Sequence, residues 1–122
     1  MDGLEKQLAE ADRLRREVKI DEAIGAYQLL LLRWPDSVRA RHGLGLCAGF
    51  KGRLEEAVWE LEAAAQLAPL STRIQLDLAK TYMMAEMYVE GETAFRRVLK
   101  LDPYNDDARK QLEYCQMAGM TL

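Results

Sequence analysis

The chain has 122 residues and a formal net charge of −3, with 49% hydrophobic and 30% charged residues. That length and balance support one globular domain of 1–122 with an apolar core and exclude a disordered chain. The negative charge argues against a non-specific nucleic-acid binder, which needs a basic face, and no apolar run approaches the roughly 20 residues that span a bilayer.

Little in the sequence offers chemistry. Cys47 and Cys115 make no disulfide framework and read as free core thiols. His42 is the single histidine and has no Cys or His neighbour at metal-ligand spacing. There is no glycine-rich phosphate loop, nucleophile elbow or zinc-protease helix. The expectation is therefore no enzyme activity, no cofactor and no metal. The N-terminal stretch MDGLEKQLAEADRLRRE is charged throughout, without the apolar core of a signal peptide, which predicts a cytoplasmic protein.

In chain order, the pattern repeats. Residues 4–37 open with a charged helical stretch, continue with IDEAIGAYQLLL and stop at RWPDS. Residues 38–71 begin with RHGLGLCAGFKG, turn near Gly52, continue with LEEAVWELEAAA and stop at LAPLS. Residues 72–105 carry Leu78–Ala79 and Tyr82, then VEGETAFRRVLK, and stop at LDPYN. The three prolines, Pro35, Pro69 and Pro103, are evenly spaced: 69 − 35 = 34 and 103 − 69 = 34. Each unit reads as two amphipathic helices joined by a short turn, with proline ending the second helix and fixing the entry to the next. Ala23, Ala57 and Gly91 share one position of the unit, and Tyr27, Leu61 and Phe95 share another. Small residues facing large ones are what closely packed antiparallel helices need. In the remainder, 106–119, Leu112 keeps the apolar stripe, whereas Glu113 and Gln116 suit a solvated face.

This pattern resembles the tetratricopeptide repeat, a 34-residue helix–turn–helix family. Leu44, Gly45, Gly52, Ala57, Ala64 and Pro69 match it in the second unit; Leu78, Ala79, Tyr82, Phe95 and Pro103 match in the third; the first keeps Ala23, Tyr27 and Pro35 but departs at Gln7 and Glu10. The resemblance implies an all-α, right-handed superhelical solenoid of three repeats plus a C-terminal capping helix. Polar residues at both ends predict a complete array, with a segment of a longer array as the alternative.

It also implies a concave groove that holds a partner's peptide. Family positions place Arg39, His42, Leu46, Phe50, Arg73, Leu76, Lys80, Met83, Lys110 and Tyr114 in that groove, with Leu8, Asp12, Gly43 and Gly49 beside them. Counted over all groove positions the lining is about +2, which predicts an apolar anchor in a mildly acidic partner. Gly43 and Gly49 either let a ligand chain approach closely or are tolerated by a helix held through packing. The family's clamp for chaperone-tail carboxylates is not expected, because its positions hold Leu8, Asp12, Gly43, Arg73 and Asp77. Leu29, Leu32 and Trp59 fall on the convex side and predict a second interface, for a homo-oligomer or a docking partner, unless they pack under Trp34. The expected function is a protein-interaction adaptor, with a self-assembling scaffold or a secretion-type chaperone as alternatives.

Overall fold

A computed structural model describes residues 3–119. Among the described residues there are seven α-helices and no strand: α1 (Gly3–Arg16), α2 (Ile20–Arg33), α3 (Val38–Phe50), α4 (Leu54–Leu67), α5 (Thr72–Met84), α6 (Tyr88–Leu101) and α7 (Asp106–Met117). They gather into two compact units, Met1–Leu67 with α1 to α4 and Ala68–Leu122 with α5 to α7. In the first unit α1 packs on α2, α2 on α3 and α3 on α4, and α1 also reaches α3; in the second, α5 packs on α6 and α6 on α7.

Small-against-large pairing closes these helices. Tyr27, Leu61 and Phe95, the large residues of the repeating pattern, are wholly buried, as are Ala23 and Ala57, one turn earlier on the helices of Tyr27 and Leu61. Gly45 lies against Leu61, where an added Cβ would stand 2.8 Å from Cγ. Gly43 is tighter still, since a Cβ there would fall 2.3 Å from the Tyr27 ring. Gly43 is therefore a seat for Tyr27 and offers no bare backbone to a ligand, contrary to the more functional of the two sequence expectations. The first core runs from Leu8, Ala11 and Leu14 through Ile20 and Leu30 to Ala40, Leu44 and Cys47, and Trp34 packs against its edge.

Turns and caps recur with the same period. Each proline is the second residue of a four-residue turn closed by a backbone hydrogen bond: Ser37 N to Trp34 O, Ser71 N to Ala68 O and Asn105 N to Asp102 O, all 3.1 Å. The last residue of each turn then caps the next helix. The Ser37 hydroxyl accepts from Ala40 N, the Ser71 hydroxyl from Ile74 N and the Asn105 amide oxygen from Ala108 N.

The turns inside each helix pair share one shape as well. Lys19 N donates to Leu14 O, Arg53 N to Ala48 O and Met87 N to Tyr82 O, at 2.8–2.9 Å. These five-residue-back bonds are the signature of a Schellman end, which needs a left-handed residue just before the donor. That residue is Gly52 in one turn, but Val18 and Glu86 in the others, with φ of 62° and 61°. A left-handed conformation costs an L-residue about 1–2 kcal/mol, and a β-branched one is the least tolerant.

Val18→Gly is accordingly expected to stabilise the fold by about 1 kcal/mol and raise Tm by roughly 4 °C, with a smaller gain for Glu86→Gly. Gly52→Val should lower Tm by at least as much. Thermal denaturation followed by circular dichroism decides it, and a fall in Tm for Val18→Gly would refute the strain.

Candidate functional site

On α3 the side chains of Arg39, His42, Leu46 and Phe50 recur every three or four residues and so share one face. Arg39 is exposed, His42 and Leu46 are half-buried, and Phe50, the last residue of the helix, is 66% exposed. Beside this face a polar network ties α1, α2 and α3 together. The Tyr27 hydroxyl donates to Asp12 Oδ1 and accepts from Arg15 Nε at 3.1 Å. Arg39 donates through Nη2 to Asp12 Oδ2 at 2.8 Å and through Nη1 to Glu5 Oε2 at 3.0 Å.

The environment sets the protonation of this network. Burial pushes the Asp12 carboxyl up, but the hydrogen bonds from Tyr27 and Arg39 and the charges of Arg39 and Arg15 outweigh it and hold Asp12 below the usual aspartate range. Burial, reinforced by the Asp12 carboxylate, pushes the Tyr27 phenol up to about 12. Arg39 is held firmly charged, chiefly by its hydrogen bond to Asp12.

In the second unit Arg73, Lys110 and Tyr114 are exposed, the last by 59%. Lys80 on α5 pairs with Asp107 on α7 at 2.5 Å. Met83 is half-buried: its sulfur lies 4.0 Å from Cys115 Sγ, and it fills the space a Cβ on Gly91 would need. Leu76 departs from expectation. It is buried because α5 is covered around most of its circumference, with 74–76, 78, 79, 81 and 82 all buried. Leu8, also expected to face a ligand, is 3% exposed in the core of the first unit. Two of the expected groove cations, Arg39 and Lys80, are already neutralised by neighbouring carboxylates.

Three residues of α2 and α4 stand in solvent. Leu29, Leu32 and Trp59 are 67%, 80% and 62% exposed. Trp34 does not cover them; it lies against the first core, with the Arg33 guanidinium 4.7 Å above its ring. Trp59 borders a pocket of about 160 Å³ floored by Leu44 and Ala48 of α3 and walled by Ile24 and Gln28 of α2. Leu29 and Leu32 lie outside that lining. Arg41 joins the surroundings of Trp59, with its guanidinium 5.7 Å from the ring centre and 3.1 Å from Glu60.

Cys47 and Cys115 are buried free thiols. No group of three or more His, Cys, Asp or Glu able to hold a metal ion occurs among the described residues. None of the described helices is long and apolar enough to cross a membrane.

The family profile described as Tetratricopeptide repeat matches residues 8–72 and 49–106. The chain belongs to the tetratricopeptide repeat family. Among curated proteins it is similar to DnaJ homolog subfamily C member 3 of Gallus gallus, 24% identical over 117 residues; the match takes in 93% of this chain but only 23% of that relative. Among solved structures it resembles the first such domain of Spaghetti (RPAP3) bound to an HSP90 peptide, with a TM-score of 0.88, 18% identity and coverage of 94% of this chain and 91% of that one. It also resembles the type III secretion chaperone SycD of Yersinia enterocolitica in complex with a peptide of the translocator YopD, with a TM-score of 0.89, 18% identity and coverage of 98% and 96%. At these identities the likeness establishes the fold.

Sequence reasoning missed two features of this tetratricopeptide chain. It treated Tyr27 as an apolar knob and did not foresee its hydroxyl binding Asp12. It also passed over Glu92, a carboxylate 2% exposed on α6 whose Oε1 lies 3.4 Å from Arg96. The first had a signal available, since Asp12, Arg15 and Arg39 lie on helix faces that the repeat register already brings together.

The two pKa shifts fix a stability profile. Folding lowers Asp12, so its contribution is present above the unfolded aspartate pKa and lost as pH falls through the folded value. Folding raises Tyr27, so its contribution is full below about 10 and lost as pH rises toward 12. At neutral pH Asp12→Ala should cost roughly 1–3 kcal/mol, the loss of a half-buried, charge-assisted hydrogen bond pair. Urea unfolding across pH should show that difference shrinking below about pH 4; a difference unchanged at acid pH would contradict the assignment.

Proposed function

We propose that the chain is a protein-interaction adaptor that holds a peptide segment of a partner protein against its first-of-pair helices, with no catalytic step of its own. The observation that carries this reading is Phe50, a phenylalanine 66% exposed at the end of the Arg39–His42–Leu46 face while the core beneath it is already filled. Tyr114 on α7, 59% exposed, gives the second unit an aromatic of the same kind. Exposed aromatics beside polar groups are what peptide anchors meet in recognition surfaces. Arg73 and Lys110, exposed in the second unit, suit acidic character in a segment bound at that unit. Relatives of the same fold hold an HSP90 peptide and a translocator peptide, which supports a peptide partner and keeps a client-shielding chaperone as the runner-up.

Selection from a random-peptide library displayed on phage, with the wild-type chain as bait, should yield an apolar-anchored consensus. Phe50→Glu and Tyr114→Glu are both surface changes and should weaken its binding at least about tenfold with helicity unchanged, a loss near 1.4 kcal/mol. Met83 is unsuited to this test because it packs under Gly91. Undiminished binding to both variants would remove the reading.

The exposure of Leu29, Leu32 and Trp59 favours a second interface on α2 and α4, for a second copy or a docking protein. Light scattering after size exclusion should show a mass rising above 13.9 kDa with concentration in the wild type and not in a Leu32→Lys, Trp59→Lys variant. A monomer at every concentration removes self-association.

A further inference from the structure

Two arginines of the first unit, Arg15 and Arg39, face an acid that belongs to the chain itself. Arg39 forks its two terminal nitrogens onto Asp12 and Glu5, and Arg15 Nη2 stands 3.9 Å from Asp12 Oδ1. A carboxylate set between two guanidiniums, with a phenol donating to one oxygen, is the arrangement an anionic ligand would take up. Here a side chain takes it up. The side chain of Asp12 is 14% exposed and both its oxygens are engaged, whereas that of Glu5 is 59% exposed and adds little. Two arginines against two carboxylates leave the place electrically neutral.

We propose that Asp12 is a built-in carboxylate occupant of the Arg15–Arg39 site and sets the adaptor's specificity by turning acidic segments away from the first unit. The inference rests on the adaptor reading and adds to it the chemistry that this surface rejects. An incoming carboxylate must displace Asp12, leaving a half-buried charge without its partners, or settle beside it and meet like charge. An apolar or neutral segment faces neither penalty and can use Phe50. Specificity here comes from a repulsive element built into the surface.

Fluorescence anisotropy with a dye-labelled triglutamate peptide, and its triglutamine counterpart, tests this on the full chain. Asp12→Asn keeps the shape and one of the two hydrogen-bond acceptors but removes the charge. It should bind triglutamate at least about tenfold more tightly than wild type, the order expected when one like charge is removed about 5 Å from the ligand. Triglutamine should be unaffected, the gain should fade with salt, and adding Arg39→Gln should abolish it. If Asp12→Asn loses helicity, the exposed Glu5→Gln change should still give a gain of about threefold through the same arginine. The proposal is overturned if neither variant gains, if triglutamine gains equally, or if the gain survives Arg39→Gln. Binding of a library-selected peptide to the Phe50 face is scored separately. Its persistence would leave the adaptor reading intact while this proposal fell, and its absence would fell the adaptor reading whatever triglutamate did.

Discussion

The Tyr27 side chain joins three helices by two different kinds of force. Its ring lies on the bare backbone of Gly43, so α2 and α3 approach more closely than any residue with a Cβ at 43 would allow. Its hydroxyl, carried to the far side of the pair by the length of the ring, donates to Asp12 on α1. Asp12 in turn receives Arg39 from α3. The apolar contact sets the distance between helices, and the polar one sets the register of α1 against both. A phenylalanine at 27 would preserve the first and leave Asp12 half-buried without one of its donors, which is the more costly kind of loss.

The turns show how a period of 34 is written into a chain without a conserved composition at every turn. Ser37, Ser71 and Asn105 all cap helices with a side-chain oxygen, and the preceding prolines hold the turn in the shape that presents it. At the other turn the backbone alone decides. Val18, Gly52 and Glu86 adopt the same left-handed conformation although only one of them is suited to it. Packing of Tyr27 and Phe95 into the helix pairs that flank Val18 and Glu86 is strong enough to impose that strain locally.

Much of this was legible in the residues. The proline spacing, the small and large alternation and the solvated Glu113 and Gln116 led to the all-α repeat fold, because periodicity and volume are properties that a sequence displays directly. The site was less legible for a physical reason. A helical position predicts which way a side chain leaves the backbone, but not what it meets at the end of its reach. Leu8 and Leu76 sit at positions assigned to a ligand face and are covered instead; Arg39 and Lys80 point where expected, yet their charge is spent on Glu5, Asp12 and Asp107. The net of about +2 along the face already included Glu5, Asp12 and Asp107, so pairing leaves the sum unchanged; what the sequence did not display is which cations those carboxylates engage.

That pairing changes what kind of recognition the surface favours. A free arginine on a helix face attracts carboxylates at long range, whereas one held at 2.8 Å by a half-buried aspartate presents a neutral, oriented pair with little field beyond its own contacts. What remains at that face is shape: an exposed Phe50 on the same face of α3 as the half-buried Leu46 and His42. Within the first unit Arg39 is held by Asp12 and Glu5, and within the second Lys80 is held by Asp107 while Arg73 and Lys110 are exposed. On the proposal that Asp12 turns acidic segments away, discrimination depends on a single carboxylate placed beside arginines, and a substitution that leaves every helix, cap and turn in place redirects it.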